Sequence, residues 1–353
     1  IGILMSPEVI IAGRKIGRAH PPFVVAELSA NHNGSIEMAF RIMEAAKDAG
    51  AHAIKIQTYT AETITIDHDG PGFVIEGGLW DGNRLYDLYK EAHTPWDWHD
   101  ALFAKGEDLG LIVFSSPFDQ TAVDLLEDLK APAYKIASFE LVDHALIRKC
   151  AVTGKPLIMS TGMANLGEID EAVNVAREAG AQEIVLLHCT SGYPTKPDEA
   201  DILTIPNLID AFGLVTGLSD HTPGSAVPIA AVTLGASVIE KHVTWRREDG
   251  GPDAAFSLEP DELATLCEGV DLAWQALGKV RYEKSESELG NAQFRRSLYI
   301  VKDMKEGDVL DVTSLRSIRP GFGLSPKFID LLMGKKLNRD VSRGTPMSWD
   351  FVG

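Results

Sequence analysis

At 353 residues, with 45% hydrophobic and 24% charged residues, the chain has enough apolar material for one large domain and a smaller one. A formal net charge of -18 excludes nucleic acid and anionic membrane as partners, because both require a basic surface. Cys150, Cys189 and Cys267 are widely spaced, odd in number and form no CxxC pair, which argues against a disulfide framework or a cysteine zinc site and fits a reducing cytoplasm.

The opening run is apolar, but no basic region precedes it and it falls well short of the ~20 residues that span a bilayer, so neither secretion nor membrane insertion is expected. Eight short runs rich in Val, Ile and Leu follow, at 23–31, 52–60, 111–118, 133–140, 156–162, 183–191, 215–222 and 237–243. Most precede a polar cluster and then a stretch with helical apolar spacing. The spacing predicts helices at 36–49 and 169–179, closed by Gly50 and Gly180. Alternating strand and helix implies a parallel sheet, and eight such units closing on themselves give a TIM (β/α)8 barrel with its chemistry where the strands end. An open doubly wound sheet is the alternative, but no GxGxxG fingerprint follows the first strand.

Between the second and third strands lies a segment too long for an ordinary barrel loop, containing Trp80, Asp81, Tyr86, Asp87, Tyr89, Trp96 and Trp98. It reads either as a locally packed helix or as a lid that stacks on a sugar. After a helix at 262–277, the charged, serine-containing run 281–293 reads as a linker. The chain thus divides into a barrel domain at 1–280, the linker, and a loop-rich module at 294–353 punctuated by Gly307, Gly321, Gly323, Gly334 and Gly344.

The strand ends carry polar residues in every unit: Glu27, Asn31 and His32; Lys55, Gln57 and Tyr59; Ser115 and Ser116; Lys135, Ser138 and Glu140; Ser160 and Thr161; His188, Thr190 and Tyr193; Ser219, Asp220 and His221; Glu240, Lys241 and His242. Any one of these singly reads as a buried group bonded to a neighbouring strand. Eight clusters at one rim point to a site. Lys55 and Lys135 each need an anion, either a structural partner such as Glu27 or Glu140 or a bound phosphate and carboxylate, with Ser138 and Ser160 adding short donors. His221 and His242 end the last two strands, which are neighbours in a closed barrel. Two imidazoles there suit an open site for a divalent ion whose shell is completed by water and substrate oxygens.

The strings AELSANHNG at 26–34, IKIQTYT at 54–60, FSSPFD at 114–119, AYKIASFE at 133–140, STGM at 160–163, LLHCTSGYP at 186–194, GLSDHTPG at 217–224 and IEKHV at 239–243 resemble the sialic acid synthase family. Residues 294–353, with IRPGFG at 318–323, are similar to that family's C-terminal antifreeze-like SAF domain. The resemblance implies a cytoplasmic transferase that condenses phosphoenolpyruvate with an open-chain acetamido sugar and releases phosphate. It implies that Lys55, Ser116, Lys135, Ser138, Ser160 and Ser219 bind phosphoenolpyruvate. Glu27, Lys55 and Lys135 serve the chemistry, and His221 and His242 hold Mn2+, Mg2+ or Co2+. Gln57, Tyr193 and Asp253 face the sugar, joined by Arg319 from the partner of a homodimer whose C-terminal domains are swapped. Within the family, SANHNG, LWDG at 79–82, LYDLY at 85–89, TPWDWH at 94–99 and DAAFS at 253–257 resemble the pseudaminic acid branch more than the N-acetylneuraminate branch. Ser191 also stands where that second branch typically carries Asn. An N-acetylneuraminate or legionaminate product is the alternative within the family. Outside it stand a Schiff-base aldolase using Lys55 or Lys135, and a non-catalytic scaffold that would give the rim lysines and histidines no purpose.

Overall fold

Runs such as Phe23–Glu27 and Ile184–Cys189 have no exposed side, so they are stable only in a sheet covered on both faces. The computed structural model describes residues 7–353 and meets that need with a closed eight-stranded parallel barrel in the first of two units, the chain passing from one to the other between Gly278 and Lys279. The apolar opening run at 1–6 lies outside the described residues.

A short antiparallel hairpin comes first, β1 (Val9–Ile11) and β2 (Arg14–Ile16), turned by Ala12 and Gly13, both at positive φ. The barrel then runs β3 (Phe23–Glu27), β4 (Ala53–Thr58), β5 (Ile112–Pro117), β6 (Tyr134–Ile136), β7 (Leu157–Ser160), β8 (Ile184–Cys189), β9 (Val215–Asp220) and β10 (Val238–His242), with β10 closing against β3. This is the TIM arrangement that the alternating pattern predicts.

Strand alternation divides each strand between two cores. Val24, Ala26, Ile54, Ile56, Leu218 and Ile239 face outward and pack under the helices, with a second outward cluster around Tyr134, Ile136, Leu157 and Met159. Phe23, Val25, Ala53, Phe114, Ala133, Ile158, Val185, Leu187, Val215 and Val238 fill the interior together with Val9, Ile11 and Ile16 of the hairpin. The hairpin therefore closes the end of the barrel where the strands begin. Gly217 faces the interior where a Cβ would meet Val238 O at 2.3 Å and Leu187 Cδ2 at 2.8 Å, so only glycine allows this approach.

The helices follow their local signals. Ile36–Asp48 is capped by the Ser35 hydroxyl, which accepts from Met38 N at 3.2 Å. Leu166–Glu178 begins three residues before the periodicity suggests, because Asn165 and Glu168 form a capping box. Among the described residues no helix is long and apolar enough to cross a membrane.

The second unit carries one two-stranded antiparallel sheet, β11 (Ser297–Ile300) and β12 (Leu315–Ile318), around a core of Leu298, Ile300, Leu310, Leu315, Leu332, Leu337 and Met347. Gly323 sits against this core, where a Cβ would lie 2.2 Å from Leu298 O. The run read as a linker is partly folded: Glu286–Leu289 is a short helix whose Ser285 and Glu288 form a capping box.

Candidate active site

Along each strand the interior series turns from apolar to polar as the strand ends. Phe23 and Val25 give way to Glu27, Ala53 to Lys55 and Gln57, Phe114 to Ser116, Ala133 to Lys135, and Ile158 to Ser160; on β9 Val215 leads to Ser219, and on β10 Val238 leads to Glu240 and His242. The parity that packs the floor of the barrel therefore delivers these side chains into one space above it. Ser115, His188, Asp220 and Lys241 have the opposite parity and leave the rim cluster. Ser115 bonds Thr58 Oγ1 at 2.6 Å and Ile56 O at 3.0 Å, and His188 Nε2 lies 2.7 Å from Ala200 O, so these are wall residues.

At the centre four charges interlock. Lys55 Nζ lies 2.8 Å from Glu27 Oε2, 3.7 Å from Glu240 Oε1 and 3.4 Å from Ser116 Oγ. Lys135 Nζ donates to both Glu240 oxygens, at 2.8 and 3.1 Å, and Ser219 Oγ donates to Glu240 Oε1 at 3.1 Å. All four charged residues are at most 4% exposed. Burial alone would push Glu240 up, but the Lys135 and Lys55 ammonium groups hold it down at about 2. Burial raises Glu27 despite Lys55. It lowers Lys135, whereas for Lys55 the two carboxylates outweigh burial and raise the pKa. Sequence reasoning offered Glu140 as a partner for a lysine. The structure gives Glu240 that place, because β6 and β10 face each other across the interior.

Glu140 instead stands just past β6 with Oε2 buried and unpartnered, and burial pushes it up to about 7. Ser160 Oγ is likewise buried without a partner, while Ser138 Oγ accepts from Gly162 N at 3.1 Å. The unpartnered Ser160 hydroxyl, on the strand beside that of Lys135, can donate to an incoming polyanion, whereas Glu140 can do so only when protonated.

On the β9–β10 side, Gln57 Nε2 donates to Glu27 Oε1 at 2.9 Å and to Ser29 Oγ at 3.0 Å, and Ser29 Oγ donates to Asp253. His242 Nδ1 is buried, makes no hydrogen bond and lies 3.7 Å from Asp253 Oδ2. His221 uses Nδ1 toward Thr190 O at 3.0 Å, which leaves Nε2 free. The two imidazole rings are 5.3 Å apart, and burial followed by His221 keeps His242 well below its ordinary pKa and so neutral. Among the described residues no three His, Cys, Asp or Glu side chains are grouped to hold a metal. Two imidazoles, that of His242 held neutral by burial, with a nearby carboxylate nevertheless fit an open divalent-ion site whose remaining ligands are not protein.

Aromatic rings wall this side. Tyr193 lies 4.5 Å from His221 and 5.3 Å from Phe256, and Phe256 lies 4.9 Å from His242. Phe256 was not legible as a site residue, since its only signal was its place in DAAFS. The long β4–β5 insertion splits in use. Tyr86 bonds Glu62, Trp96 donates to Tyr59 O and Trp98 edges His32, all local packing. Trp80 reaches the mouth, where it lies 5.5 Å from Tyr193 and donates to Pro252 O at 2.9 Å. Arg319 belongs to the second unit, exposed just after β12.

Comparison with known proteins shows the family. The NeuB family model matches residues 42–282 and the SAF domain model matches 295–353. A pseudaminic acid synthase of Campylobacter jejuni is 43% identical over 322 residues, covering 91% of this chain and 94% of that one. Another, of Helicobacter pylori, is 42% identical over 333 residues, covering 94% and 98%. The crystal structure of an N-acetylneuraminic acid synthetase from Leptospira borgpetersenii in complex with citrate superposes with a TM-score of 0.73 at 31% identity, covering 83% of this chain and 98% of that chain.

Proposed function

Because this chain belongs to the NeuB family and ends in an SAF domain, we propose that it is a phosphoenolpyruvate-dependent transferase making pseudaminic acid from 2,4-diacetamido-2,4,6-trideoxy-β-L-altropyranose in the cytoplasm. The observation that carries the product assignment is the 42–43% identity to pseudaminic acid synthases over more than 90% of the chain.

In this reading phosphoenolpyruvate lies over Lys55 and Lys135, with Ser116, Ser138, Ser160 and Ser219 supplying hydroxyls, and the lysines exchange part of their contact with Glu27 and Glu240 for the substrate anion. Gln57, Tyr193 and Asp253 orient the open-chain sugar. His221 and His242 would hold a divalent ion, which supplies Lewis acidity toward the aldehyde oxygen. The enol C3 bonds to the aldehyde carbon, the aldehyde oxygen gains a proton, and positive charge develops at C2. Water adds there and gives up a proton, and the tetrahedral adduct breaks its C–O bond to release phosphate. Glu27, raised by burial, bonded by Gln57 and beside Lys55, is placed to take the proton from that water at Oε2. A Schiff base on Lys55 has less support, because its pKa is raised and an ammonium is no nucleophile; on Lys135, whose pKa burial lowers, the amine is engaged by both Glu240 oxygens, and borohydride trapping decides.

The swapped homodimer is part of the same proposal. Residues 279–353 hold fourteen Lys and Arg against ten Asp and Glu, so this basic unit accompanies a barrel unit more acidic than the chain's overall charge of -18. A basic module suits the acidic barrel of a partner subunit, as the proposed swap requires. The test of function is phosphate release from phosphoenolpyruvate with a panel of 2-acetamido and 2,4-diacetamido hexoses. Turnover of N-acetylmannosamine in preference to the diacetamido altrose would sink the product assignment, and borohydride trapping of a covalent adduct would sink the condensation.

A further inference from the structure

We propose that Lys241, paired with Asp220 on the outer face of the barrel wall, is the positioning residue that fixes the separation of His221 and His242; this rests on reading those histidines as the metal-holding pair. Lys241 and Asp220 are cross-strand partners in the β9–β10 register. Each stands one residue from an inward-facing histidine and therefore faces outward, where Lys241 is 0% and Asp220 3% exposed.

The contacts made there bracket His221. Lys241 Nζ forms an ion pair with Asp220 and also donates to the backbone carbonyl of Thr222, so one ammonium grips the residue before His221 and the residue after it. Asp220 is in turn tied to Thr222, accepting from its N at 3.1 Å and its Oγ1 at 3.0 Å. The β9–β10 ladder ends at the Asp220–Lys241 pair, so His221 and Thr222 lie beyond the last paired residue. Nothing in the ladder holds them to β10. The ammonium does, and it belongs to the residue immediately before His242. Both histidines are thereby referred to a single side chain.

A buried ion pair adds little net stability over apolar residues of similar shape, so what this one contributes is geometry. The replacement Lys241→Met with Asp220→Leu removes the grip without stranding either charge. Mn2+ is titrated into the metal-stripped full-length protein and free Mn2+ is followed by electron paramagnetic resonance, with melting temperature recorded in parallel. The double variant is expected to lose about 10- to 100-fold in Mn2+ affinity, the usual cost of disturbing groups that orient metal ligands. Leu146→Ala, which opens a cavity in the other outward core cluster, serves as the control: it should melt lower yet bind Mn2+ as wild type does. Wild-type affinity in a folded double variant overturns the proposal, and so does an equal loss of affinity in Leu146→Ala, which would reduce the effect to stability. Should the double variant not fold, Asp220→Asn keeps size and hydrogen bonding while weakening the grip, and unchanged Mn2+ affinity there is equally fatal. If wild type binds Mn2+ no better than His242→Ala, the metal reading itself falls and takes this inference with it.

Discussion

Lys135 and Glu240 stand on strands four places apart in an eight-stranded ring, directly opposite each other, yet their side chains meet through two hydrogen bonds of 2.8 and 3.1 Å. The pair spans the interior and holds a buried cation ready at its centre. Lys135→Ala should therefore raise the Michaelis constant for phosphoenolpyruvate much more than that for the sugar. A charge-assisted contact is worth about 1.5–3 kcal/mol, or roughly 10- to 150-fold. Steady-state phosphate release with each substrate varied in turn measures this, and equal effects on both constants would contradict the assignment.

Chelation should abolish turnover, and Mn2+, Mg2+ or Co2+ should restore it. The motive is the buried, unbonded Nδ1 of His242, whose ring lies beside that of His221, with no third grouped protein ligand among the described residues. Full activity in stripped enzyme would remove the metal from the mechanism.

Trp80 joins the insertion to the rim through Pro252 O and packs on Tyr193. Trp80→Ala should raise the sugar Michaelis constant about tenfold, roughly 1.4 kcal/mol, and leave that for phosphoenolpyruvate unchanged. Trp80→Phe, which keeps the ring contact and loses the hydrogen bond, should fall between. A change confined to phosphoenolpyruvate would place Trp80 elsewhere.

Stability in the absence of substrates should fall as pH rises from 4.5 to 7 through Glu140. Burial raises this carboxyl to about 7 in the folded chain, against 4.5 when unfolded, so across that window the folded state keeps a proton that the unfolded state has lost. The contribution is up to about 3 kcal/mol, because a tenfold difference in proton affinity between the two states is worth about 1.36 kcal/mol. Denaturant unfolding at pH 5 and pH 8 should show the loss, and Glu140→Gln should remove most of it.

Mixing Arg319→Ala with Lys55→Ala under conditions that allow subunit exchange should restore activity toward about one quarter of wild type, because a swapped dimer then contains one site free of both defects. Verified exchange without recovery would refute the swap while leaving the condensation chemistry untouched.

The strands were legible because parallel strands buried on both faces read as continuous Val, Ile and Leu runs, and the switch to polar residues at each end marked the rim. Parity within that rim was the harder part. His188 and Lys241 sit in the same short strings as site residues, and only the register shows that they face away. Contacts across the barrel were not legible at all. Lys135 and Glu240 are 105 residues apart, and no local pattern says which carboxylate meets which lysine. The β1–β2 hairpin was missed because two three-residue strands carry too little periodicity, although Ala12–Gly13 is a turn signal in hindsight.

That hairpin governs traffic. With Val9, Ile11 and Ile16 sealing the end where the strands begin, the barrel is a blind well open where they finish. The two central lysines lie lower in it than Tyr193, Asp253 and Trp80, which follow the strand ends. If phosphoenolpyruvate binds the lysines and the sugar binds above it, as proposed, phosphoenolpyruvate must enter first and its phosphate must wait until the product has gone. Loading and unloading thus obey a stack: first in, last out.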